Sequence, residues 1–129
     1  MSGVVADTHA VLWYVFGDQR LSAAALAAMT AGGPILVPSI SLVEITYLIE
    51  KGRIPAQALP RLIAELSDPA AALTPAPLDL AVAETISRIP RHVVPDLPDR
   101  VIAATALVYQ LPLISRDRQI QAANLNTIW

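Results

Sequence analysis

Acidic side chains in this sequence stand where short apolar runs end. Asp7 follows the run Val4–Ala6, and Asp117 stands in Ser-Arg-Asp-Arg, directly beyond the apolar residues 113–114. If both runs are buried strands of a parallel sheet, their carboxyl ends lie at the edge where ligands bind in such folds. Carboxylates that converge there repel one another unless a cation lies among them. The chemistry that this pattern indicates is the binding of a divalent metal ion by oxygen ligands.

Three more acids lie within predicted helices or at their starts. Glu44 is surrounded by apolar residues, and Ser41 precedes it by three positions, on the same helical face. Asp96 and Asp99 stand together before a nearly all-apolar segment, where a helix cap explains one acid but not two. The predicted metal ligands are therefore Asp7, Glu44, Asp96, Asp99 and Asp117, and the predicted catalytic residues are the same acids without Asp96.

Each acid also has a simpler interpretation. Asp7 could cap the following helix, although Thr8 could serve as that cap instead. Ser41 and Glu44 have the spacing of a capping box, in which the two residues bond to each other's backbone. Asp117 lies between two arginines, a pattern that is also typical of a solvated surface turn. Only the convergence of several acids favours a metal site.

The metal that fits such a set is Mg²⁺ or Mn²⁺, because both ions prefer hard oxygen ligands and the chain has no cysteine. Carboxylate-held Mg²⁺ activates water and stabilises developing charge in phosphodiester hydrolysis. Three basic side chains near the acids could neutralise phosphate, and two hydroxyls adjoin the acids. These residues are Arg100, Arg116 and Arg118, with Thr8 and Ser41 as the hydroxyls. The two histidines, His9 and His92, have no zinc-ligand spacing, and His92 stands in a proline-rich loop from which it could touch phosphate.

Composition limits the remaining possibilities. The chain has 129 residues, so residues 1–129 are expected to form one domain. Because 54% of them are hydrophobic and 16% charged, part of the surface is expected to be apolar and to form an interface with a partner or a second copy. A net charge of −2 argues against a broad electrostatic footprint on nucleic acid. With no cysteine, no long apolar segment and no basic leader, a cytoplasmic protein is expected.

The elements that position these residues alternate along the chain. Short apolar strands alternate with amphipathic helices, which predicts an α/β fold: a three-layer α/β/α sandwich around a mostly parallel sheet of four or five strands. Strands are predicted at residues 4–8, 35–38, 72–75, 111–115 and 127–129. Helices are predicted at residues 9–16, 22–31, 39–49 (with a start at either Ser39 or Ser41), 55–66, 78–89, 99–109 and 116–123, with an irregular loop at 90–98.

Four segments together carry a family resemblance. Residues 7–13 read Asp-Thr-His-Ala-Val-Leu-Trp, residues 41–45 Ser-Leu-Val-Glu-Ile, residues 96–100 Asp-Leu-Pro-Asp-Arg, and residues 114–117 Ile-Ser-Arg-Asp. In this order and spacing they resemble PIN-domain proteins, and most closely the VapC-type toxins of bacterial toxin–antitoxin pairs. The resemblance implies a PIN-like fold, Mg²⁺- or Mn²⁺-dependent cleavage of RNA, a homodimer or toxin–antitoxin hetero-oligomer, and inhibition by a cognate VapB-type antitoxin.

The acids match the family pattern position by position. Asp7, Glu44 and Asp99 correspond to its first three acids, and Asp117 corresponds to the fourth, more variable one. Asp96 corresponds to the first acid of the family's Asp-Pro-Phe-Asp-Arg motif, although the proline here is displaced by one position. The His-Arg pair that usually precedes this motif has its counterpart in residues 91–92, in reversed order and further upstream. The intact acids imply an active enzyme.

The apolar surplus has a predicted use. Some of the aromatic and aliphatic side chains of the first and third helices are expected to line a groove that takes an amphipathic helix of the antitoxin, while most of them taken singly are expected in the core. A basic residue of that antitoxin could then reach the acids. The groove set is Leu12, Trp13, Tyr14, Phe16, Ile45, Tyr47, Leu48 and Ile49.

Two other function classes fit parts of the pattern. A receiver-type phospho-acceptor domain also has strand-end acids, but it needs an early acidic pair and a lysine after a late strand. The only lysine here is Lys51. A non-enzymatic α/β interaction module, in which the acids are only helix caps, is the other alternative.

Overall fold

The computed structural model describes residues 2–129 and shows alternating strands and helices. The five strands are β1 (Val4–Ala6), β2 (Ile35–Pro38), β3 (Leu73–Ala76), β4 (Leu113–Ile114) and β5 (Thr127–Ile128). The helices are α1 (Thr8–Phe16), α2 (Ala23–Met29), α3 (Ser39–Glu50), α4 (Ala58–Ser67), α5 (Leu80–Thr85), α6 (Leu97–Tyr109) and α7 (Arg118–Gln121), and a 3₁₀ turn spans Ile86–Arg88.

All strand pairs in the sheet are parallel, and the spatial order is β3-β2-β1-β4-β5. β1 lies at the centre, with Val5 paired to Leu36 on one side and to Leu113 on the other. The chain first winds outward through β2 and β3, then crosses β1 to form β4 and β5. Such a reversal opens a crevice at the carboxyl ends of the strands that flank it. Here that crevice lies beyond β1 and β4.

Helices cover both faces of the sheet. Because successive side chains of a strand point to opposite faces, Val4 and Ala6 join one core cluster while Val5 joins the other. α1 to α4 pack on the first face, and α5 to α7 pack on the second. The predicted three-layer fold with five strands is confirmed. None of the helices in residues 2–129 combines the length and apolar character needed to cross a bilayer.

Several element boundaries differ from the prediction because side chains cap the helices differently. α1 begins at Thr8, and its cap is Asp7, so the assignment of that role to Thr8 was wrong. α3 begins at Ser39, which places Ser41 and Glu44 inside the helix and excludes the capping box. α6 begins at Leu97 rather than Asp99, because Asp96 caps it.

The helix predicted at residues 78–89 is interrupted. α5 ends at Thr85 and continues only as the 3₁₀ turn, and Ile89 is extended with φ −103° and ψ 101°. A residue that precedes proline is disfavoured in the helical region, and Pro90 follows Ile89. The chain therefore turns away here and leads toward the start of α6.

Candidate metal centre

The central strands bring two of the predicted acids to one edge of the sheet. The backbone N–H of Asp7 donates to the Ile114 carbonyl at 3.1 Å, which continues the pairing of β1 and β4 by one residue. Asp117 stands three residues beyond the end of β4, and its N–H donates to the Ser115 hydroxyl at 3.1 Å. Both acids line the same pocket. Parallel pairing of β1 and β4 therefore accounts for their convergence.

Two helices bring the other three acids to this pocket. Glu44 lies on α3, which follows β2 directly, while Asp96 and Asp99 lie at the start of α6. One carboxylate oxygen from each of Glu44, Asp96 and Asp99 lies within 4.8 Å of the others. Asp7 and Asp117 line the pocket but fall outside this closest group. All five predicted ligands thus lie in one pocket of about 550 Å³, and three of them are spaced to share one ion.

Three of the acids also cap helices. One oxygen of Asp7 accepts from the Ala10 N–H at 2.9 Å, and one oxygen of Asp96 accepts from the Asp99 N–H at 3.1 Å. One oxygen of Asp117 accepts from backbone N–H groups of α7 at 2.8 and 3.2 Å. The cap and metal interpretations are compatible, because each carboxylate keeps its second oxygen for another partner.

The Thr8 hydroxyl bonds to Glu44, and the Ser41 hydroxyl bonds to Thr8. Thr8 Oγ1 lies 2.6 Å from Glu44 Oε1 and 3.0 Å from Ser41 Oγ, and both hydroxyl residues are buried. A hydroxyl has a single hydrogen. When Glu44 is ionised it accepts the Thr8 hydrogen, and Ser41 supplies its own hydrogen to Thr8. The predicted residues Thr8 and Ser41 therefore orient a carboxylate of the pocket.

Crowding of the acids changes their protonation. Burial raises the pKa of Asp99 to about 7, and the charges of Asp96, Asp117, Glu44 and Asp7 add to that effect. Burial likewise raises the pKa of Asp7, opposed by a hydrogen bond from Ser115. Burial also raises the pKa of Glu44, opposed by the hydrogen bond from Thr8. A divalent cation would relieve this repulsion, so the donor set fits a hard metal ion.

The predicted basic residues divide into two groups. Arg116 and Arg118 line the acidic pocket. Arg100 does not: its Nε donates to the Ile89 carbonyl at 3.0 Å and its Nη2 to the Ile86 carbonyl at 3.1 Å. These bonds join α6 to the 3₁₀ turn, which is a structural role. His92 is exposed and is absent from the residues that line the pocket.

Sequence reasoning missed several residues that line the pocket. Trp13 and Trp129 pack with their ring centres 5.7 Å apart and their planes at 61°, and the His9 ring lies 5.5 Å from Trp13. A positive charge on His9 would oppose the burial that raises the pKa of both Asp7 and Glu44. The spacing of His9 and Trp13 on α1 was a usable signal, because residues four apart share a helix face. Gln119, on α7, is the other side chain that was missed.

Some of the candidate groove residues line a pocket. A second pocket of about 490 Å³ adjoins the acidic one, because His9 and Trp13 line both. Four of the eight predicted groove residues line it, namely Leu12, Trp13, Phe16 and Leu48. Ile45 is fully buried in the core, and Tyr14 and Ile49 pack against that core, so these three belong to the core rather than to the groove. Tyr47 is 57% exposed but is absent from the groove lining.

Known proteins resemble this chain in sequence and in fold. A family model described as "PIN domain" matches residues 4–125. Ribonuclease VapC22 from Mycobacterium tuberculosis (strain ATCC 25618 / H37Rv) is 31% identical over 122 residues, which is 95% of this chain and 92% of the relative.

Solved structures share the fold at lower identity. The VapBC2 structure from Rickettsia felis, bound to a DNA fragment from its promoter, has a TM-score of 0.69 at 15% identity and covers 97% of this chain and 96% of its own. A toxin–antitoxin complex from Klebsiella pneumoniae has a TM-score of 0.69 at 21% identity, with 98% and 96% coverage. FitAcB from Neisseria gonorrhoeae has a TM-score of 0.59 at 18% identity, with 96% and 95% coverage. The match along nearly the whole sequence shows that this chain belongs to the PIN-domain family.

Proposed function

We propose that this protein is an endoribonuclease of the VapC type, which hydrolyses RNA phosphodiester bonds with Mg²⁺ or Mn²⁺ held by its carboxylates. The observation that carries the proposal is the placement of Glu44, Asp96 and Asp99, whose oxygens are spaced to share one cation. Its 31% identical relative is named a ribonuclease, which supports RNA as the substrate. The acids of the pocket have no ion pair with a basic side chain in residues 2–129, where the one ion pair joins Arg20 to Asp18.

The chemistry divides between the two groups of acids. Glu44, Asp96 and Asp99 would hold the cation, whose bound water is more acidic than bulk water and whose charge offsets that of the phosphate. Asp7 keeps one carboxylate oxygen free of its capping bond, and burial raises the pKa of Asp7. A carboxylate with a raised pKa is a better proton acceptor, so Asp7 is suited to orient the attacking water and to take its proton.

Cleavage of RNA by charge-neutral variants tests this proposal. Glu44→Gln and Asp99→Asn should each lower the Mg²⁺-dependent cleavage rate at least 100-fold, because each removes an oxygen charge from the closest ligand group. Glu50→Gln is the matched control, since Glu50 ends the same helix and is exposed. Purified protein that cuts no RNA with either ion, and shows no binding of either ion by calorimetry, would refute the proposal.

We also propose that the apolar groove binds an amphipathic helix of a VapB-type antitoxin. The groove adjoins the acidic pocket and carries basic side chains beside its apolar floor, with Arg20 and Arg53 in its lining. An antitoxin segment seated there would reach the acids from one end. The solved structures with this fold include toxin–antitoxin complexes, which supports such a partner.

Charged substitutions in the groove test the partner. Phe16→Glu and Leu48→Glu place a charge in the groove lining, and each should weaken binding of the co-expressed antitoxin at least 10-fold. Leu80→Glu is the control, since Leu80 is 73% exposed on α5, which packs on the opposite face of the sheet. Equal affinities of all three variants would exclude the groove. The homodimer stays a prediction, which sedimentation of the isolated chain would test.

The two alternatives receive less support. A receiver-type site needs a lysine at the acidic pocket, but Lys51 lies over the Tyr47 ring at 4.9 Å and is absent from the pocket lining. A module whose acids are only caps does not explain Glu44 or Asp99, since neither side chain caps a helix. A metal-dependent nuclease accounts for both, since Glu44 and Asp99 belong to the closest ligand group.

A further inference from the structure

We propose that Arg116, held in place by the ring of Trp13, binds an RNA phosphate adjacent to the bond that is cut. This inference rests on the proposed function and adds the residue that positions the substrate backbone. Arg116 lines the acidic pocket two residues beyond the end of β4. The carboxylates in this pocket outnumber its two arginines, so an anionic substrate needs a fixed positive group as well as the cation.

Trp13 fixes the guanidinium. The guanidinium carbon of Arg116 lies 4.5 Å from the centre of the Trp13 ring, within the range of a cation–π interaction. Trp13 itself is only 5% exposed and is backed by the edge-on ring of Trp129. A rigid ring beneath the guanidinium limits its rotamers, which lowers the entropy that is lost when it binds a ligand.

The other arginines near the site lack this combination. Arg20 also lies over the Trp13 ring, at 5.0 Å, but its donors are occupied by Asp18 at 2.7 and 3.1 Å. Arg100 is bonded to backbone carbonyls, and Arg118 lines the pocket without stacking on a ring. Within residues 2–129, the arginine side chains that donate hydrogen bonds are those of Arg20, Arg61 and Arg100, so Arg116 makes none, and it has no ion pair. Its donors are thus free for phosphate while its position is fixed.

The geometry makes a lysine an inadequate substitute. A guanidinium presents a planar fork that matches two phosphate oxygens while its plane stacks on an indole, whereas an ammonium is a compact charge that offers no such fork. Charge alone would be preserved by Arg116→Lys. The position of the charge would not be.

Binding of a short single-stranded RNA in the Asp99→Asn background, where cleavage is expected to be slow enough for equilibrium measurements, tests the inference. Adding Arg116→Ala should raise Kd about 10-fold. It should also reduce the slope of log Kd against log salt by about one, which corresponds to the loss of one phosphate contact. Adding Arg116→Lys should also raise Kd, by about 5-fold. Arg88→Ala removes the same charge from an exposed site outside the acidic pocket and should leave Kd unchanged. In the active protein, Arg116→Ala should raise KM more than it lowers kcat.

A double-mutant cycle tests the role of Trp13 as a positioning residue. Trp13→Leu should raise Kd about 3-fold when Arg116 is present and have no effect when Arg116 is already alanine. Thermal unfolding of each variant checks that it is folded at the assay temperature. Arg116→Lys changes no buried core residue, so it tests the inference even if Trp13→Leu fails to fold.

Three results would overturn the inference. They are equal Kd values for Arg116→Ala and Arg88→Ala, unchanged binding by Arg116→Lys, and a Trp13 effect that is the same in both backgrounds. A protein that cuts RNA but shows any of these loses this inference alone. A protein that neither cuts nor binds RNA loses the proposed function as well.

Discussion

Replacing Asp99 with asparagine is expected to stabilise the metal-free protein at alkaline pH while it abolishes cleavage. Burial and neighbouring acids raise the pKa of Asp99 to about 7, compared with 3.8 for the free side chain. At pH values between 3.8 and about 7, Asp99 retains in the folded state a proton that it has released in the unfolded state. The free energy of unfolding therefore falls as pH rises through this window, and the whole penalty is present above pH 7.

The size of the effect follows from that difference. Each pKa unit corresponds to about 1.4 kcal/mol, so the shift sets an upper limit of about 4 kcal/mol. Asp99 is only half-buried and solvent screens its neighbours, which reduces the expected value to about 1–2 kcal/mol. Asparagine also gives up the favourable placement of an acid in the first turn of α6, about 0.5 kcal/mol. A net gain of roughly 1 kcal/mol at pH 8 remains from these terms.

Urea denaturation in EDTA at pH 4 and pH 8 measures this gain. Asp99→Asn should differ little from the wild type at pH 4, the lower end of this window, where Asp99 of the folded wild type is protonated and therefore neutral like asparagine, and it should be more stable than the wild type at pH 8. Asp79→Asn is the control, because Asp79 caps α5 outside the pocket and asparagine caps equally well. At pH 8, Mg²⁺ should stabilise the wild type more than Asp99→Asn. A variant that is no more stable than the wild type at pH 8, or equally stabilised at both pH values, would refute the electrostatic reasoning.

Three other substitutions separate support of the site from stability of the fold. Thr8→Val removes the hydrogen bond that lowers the pKa of Glu44. The acidic limb of the pH profile of cleavage should therefore move to higher pH, and the cleavage rate should fall about 10-fold. Thr8→Ser keeps the hydroxyl and should restore the profile and the rate. Arg100→Ala should lower the free energy of unfolding by about 1–3 kcal/mol through the loss of two backbone contacts, and an unchanged KM for RNA would confirm its structural role. Leu62→Ala empties a fully buried position of α4 and should cost about 2–5 kcal/mol in urea denaturation, with kcat retained in the cold. A fall in kcat without a change in stability would contradict that expectation.

The sheet and the meeting of the acids were predictable because both follow from local patterns. Short apolar runs that alternate with helical segments indicate a parallel sheet, and an acid just beyond a run is then placed at the edge of that sheet. Asp7 and Asp117 were located by this reasoning alone. The resemblance to PIN-domain proteins added the match of all five acids to a family pattern.

The predictions that the structure contradicts concern side chains that can bond either to a neighbouring residue or to one far away in the sequence. Asp7 and Thr8 are both good helix caps by residue type. The Thr8 hydroxyl bonds to Glu44, 36 residues further along the chain, and the cap is left to Asp7. Arg100 stands beside an acid in the sequence, yet its guanidinium reaches back to the preceding turn. The stacking of Arg116 on Trp13 depends on how α1 meets the end of β4, which no spacing within either segment reveals.

The double use of three acids as caps divides inactivating mutations into two kinds. Alanine at Asp7, Asp96 or Asp117 removes a helix cap together with a candidate ligand, at a cost of about 1 kcal/mol of folding stability. Glu44 and Asp99 cap nothing, so their loss leaves every helix cap in place. If the activity harms its host, selection for survivors would recover full-length inert protein from changes at Glu44 and Asp99. Changes at the capping acids would instead reduce the amount of folded protein.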